Sequence, residues 1–237
     1  MTLSDPPIQL VVFDLMGTLV ADDGVVAKAY RNALESVGLA DTQLADAELS
    51  VAANRGRPTL IVLTTVLGNA VQAEEATWAF DDFMLAQANS LAPTSSAAAL
   101  LDRLSQRKIA VGLTTSFSKE VREAVIAHQG WANLFAIQLA ARGERRGHPA
   151  PDLLLEAILA LRVDSVAQVA IIGDSAADLE AGNRAGAGLV IGLERPTSDA
   201  AGSLRDAPHT HLISSLSEVE PILDAPRTSG HRRQSDL

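Results

Sequence analysis

Residues 8–18 read IQLVVFDLMGT, an apolar run that stops on an acidic residue and turns at a glycine three positions later. Gln9 aside, everything from Ile8 to Phe13 is apolar. The run therefore lacks the in-and-out alternation of a half-exposed strand and reads as one buried on both faces. Buried strands of this kind belong to parallel sheets covered by helices. In such open sheets ligands bind beyond the carboxyl ends of the strands. Asp14 stands at that end and is the first candidate functional residue.

After this strand the chain becomes helical for a long stretch. Val25 to Val37 shows helical spacing and stops at Gly38. Asp41 to Asn54 is a second helical stretch, closed by the turn Gly56-Arg57-Pro58, whose proline opens the next helix. Thr59 to Leu67 and Ala70 to Leu91 continue the pattern, with Gly68 between them. From Pro93 the rhythm changes to alternating helix and strand. Helix Ser95 to Gln106, strand Ile109 to Thr115 and helix Ser118 to His128 come first. Strand Phe135 to Leu139, a polar loop Arg142 to Pro151 and helix Asp152 to Leu161 follow. Strand Val169 to Gly173, helix Ala176 to Ala185, strand Gly188 to Gly192 and a last short pair complete the series. The expected fold is α/β, a doubly wound parallel sheet with right-handed crossovers. Residues 1–19 and 93–223 form the expected core domain, and 20–92 an inserted helical cap. Residues 224–237 (DAPRTSGHRRQSDL) are polar and read as a disordered tail.

Composition narrows the function. Hydrophobic residues make up 47% of the 237 positions but aromatics only 3%, so the core must be aliphatic and alanine-rich. Lys and Arg number 19 against 29 Asp and Glu, for a formal charge of -10. Such a chain is repelled by nucleic acid and by anionic membrane surfaces, and neither is an expected partner. A small phosphorylated substrate stays possible, because a local cation overrules net charge. Cysteine is absent, which removes disulfides, thiolate metal sites and cysteine nucleophiles together. No run of 18 apolar residues exists, and Met1 to Pro7 lacks a leader pattern, so a cytoplasmic location is expected. Oligomeric state is left open.

Three predicted strand ends deliver Asp14, Thr115 and Asp174 to one crevice, and Asp178 lies one helical turn beyond Asp174. At these residues the chain resembles the haloacid dehalogenase superfamily. VVFDLMGTLV (11–20), GLTTSFS (112–118), GHPAPD (147–152) and GDSAADLEAG (173–182) stand in the order of its four motifs. The resemblance implies a Rossmann-like core with a helical cap. It also implies a nucleophile, Asp14, that takes up a phosphoryl group as an aspartyl-phosphate. Mg2+ would be held by Asp14, Asp174, the backbone carbonyl of Met16 and, through water, Asp178. The Thr115 hydroxyl and the amide of Ser116 would cradle phosphoryl oxygens, while Gly17 permits the tight turn and Thr18 supports it.

The sequence departs from that pattern at two positions. The family's phosphatases carry an acid/base aspartate two residues after the nucleophile, and Met16 stands there with no transferable proton. An apolar residue in this slot resembles the phosphonatase-like branch, as do GLTTSF and HPAPDLL. Where true phosphonatases place a Schiff-base lysine, this chain has Thr59. The only lysine of the cap, Lys28, reads as a solvated helix residue. The third motif's lysine or arginine is His148, so either His148 clamps phosphate or Arg145 or Arg146 reaches in instead. Arg57 is the expected substrate contact from the cap. His209 and His211 share one face of a late strand, where structural roles are expected. The leading reading is a Mg2+-dependent hydrolase of a small phosphorylated metabolite. A degenerate ligand- or protein-binding relative and a phosphonate hydrolase are the alternatives.

Overall fold

The computed structural model describes residues 6–141, 146–194 and 201–226. Six parallel strands form one sheet: β1 (Leu10–Asp14), β2 (Ala110–Thr115), β3 (Ile137–Ala140), β4 (Val169–Gly173), β5 (Leu189–Leu193) and β6 (His211–Ile213). Their spatial order is β3-β2-β1-β4-β5-β6. The expected doubly wound α/β fold is the one found.

The continuous apolar reading of β1 has its cause in two cores. Val11 and Phe13 point to one face with Val111, Leu113 and Ile172, while Leu10 and Val12 point to the other with Ile171 and Leu139. Helices α5 (Ala97–Gln106) and α6 (Lys119–His128) cover the first face through Leu100, Leu104 and Val125. Helices α7 (Asp152–Ala160) and α8 (Ala176–Ala185) cover the second through Leu154, Leu179 and Ala181. With both faces covered, no position of β1 before Asp14 has reason to be polar. Two short helices, α9 (Ala201–Asp206) and α10 (Val219–Asp224), flank β6.

Four helices lie between β1 and α5: α1 (Val25–Ser36), α2 (Asp41–Ala53), α3 (Thr59–Leu67) and α4 (Ala70–Gln87). The helical reading of Ala70 to Leu91 is shortened, since α4 ends at Gln87 and a 3-10 turn spans Ala88–Ser90. This insertion has apolar packing of its own that joins the first core. Phe80 of α4 lies 4.7 Å from the Tyr30 ring of α1 and 5.5 Å from Phe117, which follows β2. Three of the eight aromatics thus meet where the insertion joins the sheet. The chain enters and leaves the insertion side by side, with Ala21 N–H donating to Ala92 O and Thr94 N–H to Leu19 O. Asp224 closes α10, and residues 227–237 of the expected tail lie outside the described residues. No helix among the described residues is long and apolar enough to cross a membrane.

Candidate active site

Strand order reverses between β1 and β4, so the crevice of this sheet opens at their carboxyl ends. Asp14 is the last residue of β1, Asp174 follows β4 directly, and Asp178 sits in the first turn of α8. One oxygen from each carboxylate lies within 4.8 Å of the others. Gly17 makes this approach possible. Its φ is 85°, and a Cβ there would stand 1.8 Å from Asp174 Oδ2. Asp178 is fixed by a capping box: its N–H donates to Ser175 Oγ, and its Oδ2 accepts from the Ser175 N–H and hydroxyl, the latter at 2.7 Å. Ser175 is a supporting residue absent from the sequence reading, although Ser-x-x-Asp ahead of an apolar helix is a legible cap signal.

Three carboxylates held this close repel one another. Burial, then Asp178 and Asp174, push the Asp14 carboxyl well above the usual carboxylate range, opposed by the Leu15 backbone N–H and by Arg55. A cation relieves that repulsion. The donor set is all oxygen, which suits a hard divalent ion such as Mg2+ and fits neither a thiolate nor an imidazole site.

A cavity of about 670 Å³ lies over these carboxylates. Met16, Thr115, Ser116 and Phe117 line it from the sheet, and Val26, Val51 and Arg55 from the insertion. Thr115 Oγ1 accepts from Phe117 N–H at 3.3 Å, whereas neighbouring Thr114 turns its hydroxyl to Phe13 O, away from the cavity. The buried Met16 side chain offers the cavity no transferable proton and only a weakly accepting thioether sulfur. Thr18 is buried, and its hydroxyl has no hydrogen-bond partner among the described residues. His148 is buried, its Nδ1 2.7 Å from Asp178 Oδ1 and its Nε2 without a partner among the described residues.

The other cations fall differently from expectation. Arg146 is exposed and forks onto Asp152, Nη2 to Oδ1 at 2.7 Å, so it does not reach the carboxylates; hydrogen bonding to it holds the Asp152 carboxyl below its usual range. Arg145 lies outside the described residues. Arg57 is exposed and off the cavity wall. In its place Arg55 enters, its Nη2 2.6 Å from Asp174 Oδ2 and 3.4 Å from Asp22 Oδ2. Burial opposes the Arg55 charge, but Asp174, Asp22, Asp14 and Asp178 outweigh it and hold the guanidinium above its usual range. The two arginines flank Gly56, which takes the left-handed backbone path there (φ 82°). Lys28, read as merely solvated, is exposed yet also lines the cavity. His209 and His211 bond locally, to Ala207 O and Thr210 Oγ1.

A family model described as haloacid dehalogenase-like hydrolase matches residues 8–186. The bifunctional riboflavin kinase/FMN phosphatase of Arabidopsis thaliana is 27% identical over 213 residues, covering 88% of this chain and 52% of that protein. The chain thus spans about half the length of that relative. Among solved structures, a hydrolase from Pseudomonas syringae superposes with a TM-score of 0.79 at 20% identity, over 92% of this chain and 98% of that one. A phosphonoacetaldehyde hydrolase-like protein from Oleispira antarctica gives 0.77 at 18% identity, over 93% and 92%. At these identities the structural likeness concerns the fold.

Proposed function

The chain belongs to the haloacid dehalogenase-like hydrolases, and on that footing we propose that it is a Mg2+-dependent phosphatase working through Asp14. The observation that carries this reading is the carboxylate trio at the switch point of the sheet, roofed by a cavity large enough for a small metabolite. Asp14, Asp174 and Asp178 would hold the ion, which supplies charge neutralisation for a phosphate dianion approaching carboxylates. A carboxylate oxygen of Asp14 attacks phosphorus, and the bond from phosphorus to the ester oxygen breaks. Thr115 and Ser116, at the neighbouring strand end, receive the phosphoryl oxygens. Water then attacks phosphorus, inorganic phosphate leaves, and the Asp14 carboxylate is restored. Met16 gives the departing oxygen no proton, so that proton comes from solvent or the substrate. The insertion acts as a cap that supplies one wall of the substrate cavity, and the cytoplasm is its proposed location.

The test is a phosphate-release screen over phosphomonoesters, acyl phosphates and phosphonates, with and without Mg2+. FMN belongs in it because the Arabidopsis thaliana relative is an FMN phosphatase in name. Release that needs Mg2+ and vanishes in Asp14→Asn supports the reading. Release at the wild-type rate from that variant excludes Asp14 as nucleophile. Met16 and the engaged His148 favour a second reading, a phosphoryl-ligand binder without turnover. It is preferred if beryllofluoride with Mg2+ raises the melting temperature while no substrate is cleaved. Phosphonate cleavage through an imine is opposed by Thr59, whose N–H is bonded to Ser116 O at the place where an amine is needed. Lys28 is the lysine that would have to replace it.

A further inference from the structure

A dianionic phosphoryl group arriving at three carboxylates needs positive charge beyond a single divalent ion. Among the described residues, Arg55 is the one arginine or lysine ion-paired to the carboxylate cluster. It comes from the loop between α2 and α3, that is, from the insertion and not from the sheet. We propose that Arg55 binds the phosphoryl oxygens of the substrate, leaving Asp174 when a divalent cation takes that carboxylate. This assignment rests on the phosphatase reading above and deepens it.

Three observations support it. First, Arg55 Nη2 lies 2.6 Å from Asp174 Oδ2, on one of the three carboxylates that would hold a metal ion, so the guanidinium and a divalent cation there would repel each other and compete for that group. Second, the displaced guanidinium has nowhere far to go. Its loop is clamped to the sheet side, with Gly56 pressed so close to Ser175 that a Cβ would lie 2.1 Å from Ser175 Oγ. The next contact is Thr59 N–H donating to Ser116 O at 3.2 Å, and Ser116 stands beside the expected phosphate cradle. Asp22 remains as a tether at 3.4 Å. Third, both ion pairs use Nη2 alone, so the planar fork keeps donors for an anion, the geometry in which guanidinium binds phosphate best. Of the other cations, Arg146 is held by Asp152 and Arg31 by Glu48, His148 Nδ1 is already on Asp178 of the trio, and Lys28 lines the same cavity from an exposed position on α1. A cation carried by the insertion also means that the site is complete only while the 55–59 loop is seated.

Calorimetric titration of the full chain tests this, first with Mg2+ alone and then with inorganic phosphate at saturating Mg2+. In Arg55→Met the Mg2+ affinity should hold or tighten, because a competitor for Asp174 is gone. Its phosphate affinity should fall at least about tenfold. Arg55→Lys, which keeps the charge and loses the fork, should lose phosphate affinity by a smaller factor and decides the matter if the methionine variant does not fold. Gly56→Val, which unseats the loop with Arg55 intact, should reproduce the phosphate loss. Phosphate binding indifferent to both Arg55 substitutions overturns the assignment, and so does a parallel loss of Mg2+ affinity, which would make Arg55 a support for the carboxylates. Failure of the wild type itself to bind phosphate with Mg2+ overturns the phosphatase reading, and the assignment with it.

Discussion

At the residue scale the site is decided by where charge is present and where it is missing. Met16, buried at 6% exposure, lines the same cavity as the three carboxylates and stands where the family's phosphatases are expected to carry an acid/base aspartate. Met16→Asp should therefore raise turnover of alkyl phosphates, whose leaving oxygen needs a proton, and leave aryl and acyl phosphates nearly unchanged. General acid catalysis contributes roughly a hundredfold or more when well placed, so a measurable gain survives imperfect geometry. Rates on one alkyl and one aryl phosphate, with melting temperature as the folding control, check it. A folded variant without a leaving-group-dependent gain would sink the account of Met16. Asp14 carries the opposite lesson. It is a partly buried carboxylate repelled by two others, so Asp14→Asn should stabilise the metal-free fold while abolishing hydrolysis. Urea unfolding in chelator reads the first effect, and lower stability of the variant would contradict it.

At the element scale, the strands and helices around the site follow from pattern, and the seams between them do not. Phe80 of α4 stands between Tyr30 and Phe117, fully buried, and joins the insertion to the segment just past the end of β2, next to Thr115 and Ser116. Phe80→Ala should cost about 3–5 kcal/mol, the usual range for emptying a buried aromatic site. It should also weaken substrate more than Phe80→Leu does, because the cavity wall loses its brace. Denaturant midpoints and KM values check the two halves, and a cost below about 1 kcal/mol would mean that the ladder is decoration. Period and length made the strands readable: β1, β2, β4 and β5 are apolar runs bounded by polar or glycine turns, and burial on both faces leaves little freedom for another reading. The carboxylates were readable for the same reason, since a strand end fixes direction. Arg55 was not. Residues 54–58 form a loop whose path is set by Gly56 against Ser175, a contact 119 positions away in sequence, and no local pattern distinguishes Arg55 from Arg57. His148 was legible as an unusual residue, but its turn toward Asp178 depends on packing that only the assembled sheet supplies.

At the scale of the whole molecule, folding itself assembles the charge problem that function exploits. Extended in the unfolded chain, Asp14, Asp174 and Asp178 scarcely interact. Folded, they lie within 4.8 Å of one another, with Arg55 as partial relief. A divalent ion that binds only the folded arrangement must then stabilise it by mass action, about 2.7 kcal/mol when present at a hundred times its dissociation constant. For a chain of this size that corresponds to a rise in melting temperature of roughly 5–10 °C. Asp174→Ala should remove most of the rise. The variant has also lost one of the mutually repelling charges, so its metal-free melting temperature need not fall below that of the wild type by the full worth of a lost ion pair. The comparison that matters is therefore the Mg2+-dependent increment within each protein, not the absolute temperature. Calorimetric Mg2+ titration beside the melts separates specific binding from a general salt effect, which would raise both proteins alike. Unchanged Mg2+ affinity in Asp174→Ala would place the ion elsewhere, and the carboxylate trio would then need another explanation for being held together.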